Sequence, residues 1–214
     1  MKEMDTIIFD LDGTLLDSKN DIVNAVNFTL KSLNRREKPF NEIVSCVGHG
    51  IREVLSKCLD SENNNLLNKA VNIFENYFLA HALDETLLYP QVKEILEYFK
   101  EKNLFIVTNR SKKSSELALR NFGILQYFKD IIGGDDETCL KPSPCPLEKI
   151  IARFSVGKER IVIVGDMAID IIAGRGAGIT TCAVTYGIGK KEDILKAKPD
   201  HIIQNLLELK GIVS

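Results

Sequence analysis

Two textures of apolar patterning share the chain. One consists of short runs rich in β-branched residues, each ending abruptly at a polar or glycine residue. Thr6-Ile7-Ile8-Phe9 stops at Asp10, and Leu104-Phe105-Ile106-Val107-Thr108 stops at Asn109. Ile131-Ile132 runs into Gly133-Gly134, Ile161-Val162-Ile163-Val164 ends at Gly165-Asp166, and a further run spans Thr180 to Val184. Runs of this length and content predict strands buried on both faces. The other texture is apolar residues at helical spacing. Ile22, Val23, Val26 and Leu30 form one such stripe, and Ile51, Val54, Leu55 and Cys58 a second. The longest runs from Asn63 to about Ala82 and carries Leu66, Leu67, Ala70, Val71, Phe74, Phe78 and Leu79. Further helices are predicted around Val92–Phe99, over 113–121, around Leu147–Phe154 and from about Ala168, with a short strand and closing helix over 200–209.

The two textures are not evenly mixed. Residues 18–82 read as helices without a strand, joined through Pro39 and a Gly48-His49-Gly50 joint. From residue 83 onward strands and helices alternate, which predicts an α/β fold with a largely parallel, Rossmann-like sheet covered on both faces. The first strand belongs to that sheet. The expected organisation is therefore a core made of 1–17 and 83–214, with 18–82 as an all-α insertion after the first strand.

Composition excludes more than it adds. The chain of 214 residues is 44% hydrophobic and 27% charged, with a formal net charge of −2. That balance gives no electrostatic reason to expect nucleic acid or an anionic membrane as partner. No apolar run approaches the ~20 residues of a membrane helix. Lys2, Glu3 and Asp5 ahead of the first strand do not resemble a secretory signal. The five cysteines, Cys46, Cys58, Cys139, Cys145 and Cys182, include no Cys-x-x-Cys pair. They read as reduced, mostly buried thiols of a cytoplasmic protein.

The chemistry lies at the strand ends, because all C-terminal ends of a parallel sheet point the same way. They carry Asp10 and Asp12, Thr108 and Asn109, Lys141 in the loop after the third run, and Asp166 with Asp170 four residues on. Taken singly, each has a structural reading as a turn, a helix cap or a surface charge. Together they fit phosphoryl transfer. Asp10 is the candidate nucleophile, and Asp12, just beyond the strand, the candidate acid/base. A Mg²⁺ ion is expected among Asp10, Asp12 (through its backbone carbonyl), Asp166 and Asp170, offsetting the repulsion between carboxylates and an anionic ester. Lys141, Thr108 and Asn109, with backbone N–H groups near Gly13 and Thr14, are expected to bind the phosphoryl oxygens.

Asp10-Leu-Asp-Gly-Thr-Leu-Leu-Asp-Ser18, Thr108-Asn109, Lys141-Pro142 and Gly165-Asp166-Met-Ala-Ile-Asp170 resemble, in order, the four motifs of the haloacid dehalogenase superfamily. The helical insertion is similar to the cap of the phosphoglycolate phosphatase-like branch, and Val47-Gly-His-Gly-Ile-Arg52 resembles the cap loop that touches substrate there. The resemblance implies a Mg²⁺-dependent phosphatase acting on a small phosphorylated metabolite through an aspartyl-phosphate, with His49 and Arg52 as cap contacts. Arg110, Gln91 and Met167 depart from the usual pattern. A phosphomutase of the β-phosphoglucomutase kind, or a pyrophosphatase or nucleotidase, would use the same core. A phosphoreceiver domain would need neither the insertion nor Asp12.

Overall fold

A computed structural model describes residues 4–213, so Lys2 and Glu3 of the N-terminal reading lie outside the described residues. The centre is a six-stranded sheet of β1 (Thr6–Phe9), β4 (Asn103–Val107), β5 (Asp130–Ile132), β6 (Ile161–Gly165), β7 (Thr180–Val184) and β8 (His201–Ile203). Its order is β5-β4-β1-β6-β7-β8 and every pairing is parallel. Strand order reverses at β1, so β1 and its neighbours form the switch point where open α/β sheets place their ligands. The register pairs Phe9 with both Ile106 and Val164. The ends of β1, β4 and β6 are therefore level, and Asp10, Thr108 and Asp166 emerge along one edge.

The alternation within the strands explains the two covered faces. Ile7, Phe9, Leu104, Ile106, Val162 and Val164 belong to one core cluster, which includes residues of α5 (Val92–Tyr98) and α6 (Lys112–Asn121). Ile8, Phe105, Val107, Ile161 and Ile163 point the other way, into a cluster with α7 (Cys145–Phe154) and α8 (Ala168–Ala177). A strand sandwiched between helices has no polar face, which is why these runs read as uninterrupted apolar segments. One helix escapes the sequence pattern: α9 (Lys191–Ala197) buries only Ile194 and so leaves almost no stripe.

The insertion is four helices, α1 (Lys19–Ser32), α2 (Phe40–Val44), α3 (Ile51–Leu59) and α4 (Asn64–His81). They enclose their own cluster, with Val26, Leu30, Leu55, Ala70 and Phe74 among its buried members. Asn63 caps α4 by accepting from the Leu66 amide at 3.0 Å. The two chain crossings into the insertion are tied together. Leu16–Asp17 (β2) and Leu87–Leu88 (β3) pair as an antiparallel ribbon, which the apolar pattern did not predict because two-residue strands carry no periodicity. Beside it the buried Asp21 accepts from the backbone amides of Glu85 and Thr86 and from the Thr86 hydroxyl.

The cysteine reading needs correction. Cys46, Cys58 and Cys182 are free, but Cys139 and Cys145 form a disulfide across the loop that carries Lys141. A six-residue separation gave no recognisable spacing in the sequence; the loop's path brings the Cα atoms to 5.4 Å.

Candidate active site

Lys141 is the hub. Its ammonium has three N–H groups and three acceptors: Asp10 Oδ1 at 2.6 Å, Asp170 Oδ1 at 2.6 Å and the Val107 carbonyl at 2.7 Å. Only 1% of the residue is exposed, so a charge that burial alone would discharge is held in place by complete pairing. Burial lowers its pKa, but the Asp10 and Asp170 carboxylates outweigh it and the net shift is upward, so Lys141 stays charged.

Two of three clustered buried carboxylates, Asp10 and Asp170, bind this one cation. Asp10, Asp166 and Asp170 each bring an oxygen within 4.8 Å of the others. Burial pushes the Asp10 carboxyl well up; Lys141 opposes this, and Asp170 and Asp166 add to it. Burial and then Asp170 push Asp166 up to about 7, although the Ile188 and Gly189 amides and the Thr14 hydroxyl hydrogen-bond its carboxylate. The set has one positive partner for three acids, all hard oxygen donors. It fits a divalent cation with affinity for carboxylates, and the elevated Asp166 marks where positive charge is short.

Glycines let the cradle close. A Cβ on Gly13, where φ is +91°, would lie 2.3 Å from Asp166 Oδ2. A Cβ on Gly189 would lie 2.0 Å from the Asp166 carbonyl. Asp170 also accepts from the Met167 amide at 3.0 Å, closing the first turn of α8 while it holds Lys141.

Asp12 stands apart from that cluster. Its Oδ1 accepts from Ser18 Oγ at 2.7 Å and from Arg110 Nη1 at 3.0 Å. Its side chain lies outside the Asp10–Asp166–Asp170 group, with Oδ1 turned toward Arg110 and Ser18, so the expected contribution to a metal is its main-chain carbonyl. Arg110 is buried, fixed by Ser114 Oγ and the Ser114 carbonyl, and lies 4.6 Å from the centre of the Phe78 ring on α4. The sequence marked Arg110 as a departure from pattern; in the structure it grips the second aspartate.

Other expected contacts are redistributed. Thr108 Oγ1 accepts from the Arg110 amide and keeps its own proton to donate. Asn109 is not turned to a phosphoryl group: its amide donates to the Gly48 and Lys141 carbonyls and its oxygen accepts from the Lys141 amide. The Gly13 and Thr14 amides are spent inside their own turn, on the Leu16 and Leu11 carbonyls, and the Thr14 hydroxyl is spent on Asp166. A tight turn satisfies its own amides first, which spacing alone does not reveal.

A cavity of about 80 Å³ lies over Asp10, between sheet edge and insertion, and Asp12, Thr108, Arg110 and Lys141 also line it. His49 and Arg52 do not. They line a larger adjoining cavity of about 390 Å³, where Arg52 Nε pairs with Glu137 at 2.8 Å and its guanidinium also bonds Asn68. Glu75 of α4 lines both cavities and was not singled out by the sequence, since it sits beside the apolar stripe of its helix.

A carboxylate paired with a buried lysine, a second aspartate near it and a cluster of buried acids, all at the switch point of a parallel sheet, fit a phosphoryl-transfer hydrolase. The model of the family described as haloacid dehalogenase-like hydrolase matches residues 7–184, and the chain belongs to that family. A phosphoglycolate phosphatase of Haemophilus influenzae (strain Rd) is 31% identical over 215 residues, covering 96% of each chain. One from Aquifex aeolicus is 32% identical over 215 residues, covering 94% of this chain and 100% of its own. Among solved structures, a predicted phosphoglycolate phosphatase from Haemophilus somnus 129pt superposes with a TM-score of 0.90 at 29% identity, covering 100% of both chains. A haloacid dehalogenase-like hydrolase of Streptococcus pneumoniae gives 0.88 at 27%, with the same coverage. The chain is a phosphatase of the phosphoglycolate phosphatase-like branch. No helix among the described residues is long and apolar enough to cross a membrane.

Proposed function

We propose that this phosphatase hydrolyses a small phosphorylated metabolite through an aspartyl-phosphate on Asp10, with Mg²⁺ held by Asp10, Asp166 and Asp170. We take 1–17 and 83–214 as the catalytic core and 18–82 as its cap. The observation that carries the reading is the posture of Asp10. It lines the cavity, Lys141 holds one of its oxygens, and the other accepts no hydrogen bond among the described residues. In the first step that oxygen forms a bond to phosphorus while the ester P–O bond breaks, and Asp12 gives its proton to the departing oxygen. In the second, water attacks the same phosphorus. Asp12 recovers a proton from it, the acyl-phosphate bond breaks, and the Asp10 carboxylate is restored. Lys141 and the Thr108 hydroxyl supply fixed positive charge and a donor to the phosphoryl oxygens. When bound, Mg²⁺ adds electrostatic neutralisation of the anionic group.

The relatives' name makes phosphoglycolate the first ester to assay. A phosphorylated metabolite is charged and does not cross membranes unaided, so a cytoplasmic location fits the activity. The test is phosphate release from p-nitrophenyl phosphate and a panel of small phosphate esters. Turnover lost in EDTA and restored by Mg²⁺ is expected. Turnover indifferent to EDTA would overturn the metal-dependent mechanism.

A further inference from the structure

The proposed phosphatase reading leaves open which alcohol the phosphate is attached to, and the cavity above Asp10 bears on it. The cap side of this cavity is apolar, with Ile22, Val54, Phe74 and Phe78 facing it. At about 80 Å³ it is spanned by a short leaving group, whose far end then reaches the border with the larger cavity. What such a group meets besides hydrocarbon decides which terminal chemistry is accepted.

The cations that line the two cavities are already matched. Lys141 is filled by Asp10, Asp170 and the Val107 carbonyl. Arg110 is paired with Asp12 and anchored on Ser114. Arg52, in the outer cavity, is paired with Glu137. Glu75 is the reverse case. It is half-buried where the two cavities meet, and its Oε2 accepts one hydrogen bond, from Ser111 Oγ at 3.0 Å. No other hydrogen bond reaches its carboxylate among the described residues. Burial raises its pKa; Ser111, Arg110 and Lys113 oppose this and Asp135 adds to it, and burial outweighs the opposition. Arg110 is bonded to Asp12, which leaves Glu75 with Ser111 as its hydrogen-bond partner among the described residues. A leaving group bearing a carboxylate would bring a like charge to Glu75. One bearing an O–H or N–H donor would give Glu75 its missing partner.

We infer that Glu75 determines specificity, and that the substrate's leaving group is a short, non-anionic alcohol carrying a terminal hydrogen-bond donor, as in a polyol or amino-alcohol phosphate. The cap wall then accepts the carbon chain, and Glu75 receives the terminal donor at the mouth of the cavity.

Three esters with two-carbon leaving groups isolate the terminal chemistry: 2-aminoethyl phosphate, 2-hydroxyethyl phosphate and phosphoglycolate, each assayed with Mg²⁺. The wild-type kcat/KM for at least one donor-bearing ester is expected to exceed that for phosphoglycolate by roughly tenfold or more, the effect of one charge-assisted hydrogen bond. If the ammonium ester leads, Glu75 meets a cation; if the hydroxyl ester leads, it meets a neutral donor. In Glu75→Gln the ratio of the better donor ester to phosphoglycolate should fall about tenfold, and Glu75→Asp should restore part of it. A wild-type preference for phosphoglycolate overturns the inference even if the variants fail to fold, and so does a ratio unmoved in folded Glu75→Gln. Failure of the wild-type enzyme to release phosphate from any ester, p-nitrophenyl phosphate included, would instead overturn the phosphatase reading and this inference with it.

Discussion

The sheet edge and the rim of the cap hold their charges in opposite ways. At the edge, Asp10, Lys141, Asp166 and Asp170 are each buried, and their partners arrive from different strand ends. At the rim, Arg52 and Glu137 keep side chains 31% and 53% exposed and pair across the gap between cap and core. Removing Lys141 would leave three clustered carboxylates without their cation in a low dielectric, whereas water replaces either member of the rim pair. The edge is therefore where chemistry and stability are entangled, and the rim is where substitutions should be nearly silent.

Asp10→Asn should break the enzyme most completely. The loss of turnover should be at least about a thousandfold, because on the proposed mechanism the covalent intermediate forms on this carboxylate. The same variant should melt no lower than the wild type in EDTA. It deletes one of three mutually repelling carboxylates, and the asparagine oxygen can still accept from Lys141. Phosphate release together with a thermal melt reads both effects. Retained turnover would remove the sheet edge from the centre of the mechanism. Lost turnover with a collapsed melt would make Asp10 a structural member of the Lys141 network.

This contrast also explains what could be read from the sequence. The parallel sheet was legible because its strands are apolar on both faces and stop abruptly, and the strand-end rule then gathers Asp10, Thr108, Lys141, Asp166 and Asp170 without any coordinates. The cap's helices were legible from their stripes. The jobs of particular side chains were not, wherever the deciding partner was a backbone group or a residue of the other region. Asn109 holds the Lys141 loop and the Gly48 carbonyl, and the Gly13 and Thr14 amides close their own turn. The Cys139–Cys145 bridge depends on a loop path that no periodicity encodes. Glu75 depends on which side of α4 meets the core.

Arg110 lies between the two regimes: it is anchored in the core, bonded to Asp12 and covered by Phe78 of the cap. It acts through Asp12 as a positioning residue. Arg110→Gln should lower kcat by roughly tenfold to a hundredfold, the scale of a lost buried charge-assisted hydrogen bond. KM should change little. The fall should be larger for an alkyl phosphate than for p-nitrophenyl phosphate, whose leaving group needs less protonation. Arg110→Lys should recover only part of the loss, since an ammonium cannot span Asp12 and Ser114 with the guanidinium's fork. Equal losses on both esters would point instead to a general disturbance of the sheet edge.

Arg52 carries the smallest expected effect and tests the rim most sharply. Its Nε–Glu137 pair is solvent-accessible, so Arg52→Ala and Glu137→Ala should each change kcat/KM by no more than about threefold, with a coupling in the double-mutant cycle of about 0.2–1 kcal/mol. The two single variants should also resemble each other, because the partners they free, Asn68 included for Arg52→Ala, are exposed and rehydrated. The informative exception is asymmetry. If Arg52→Ala raised KM tenfold for the preferred ester while Glu137→Ala did nothing, Arg52 would be meeting the substrate itself. The larger cavity beside His49 would then belong to the binding site, and the cap rim would share the sheet edge's sensitivity instead of standing outside it.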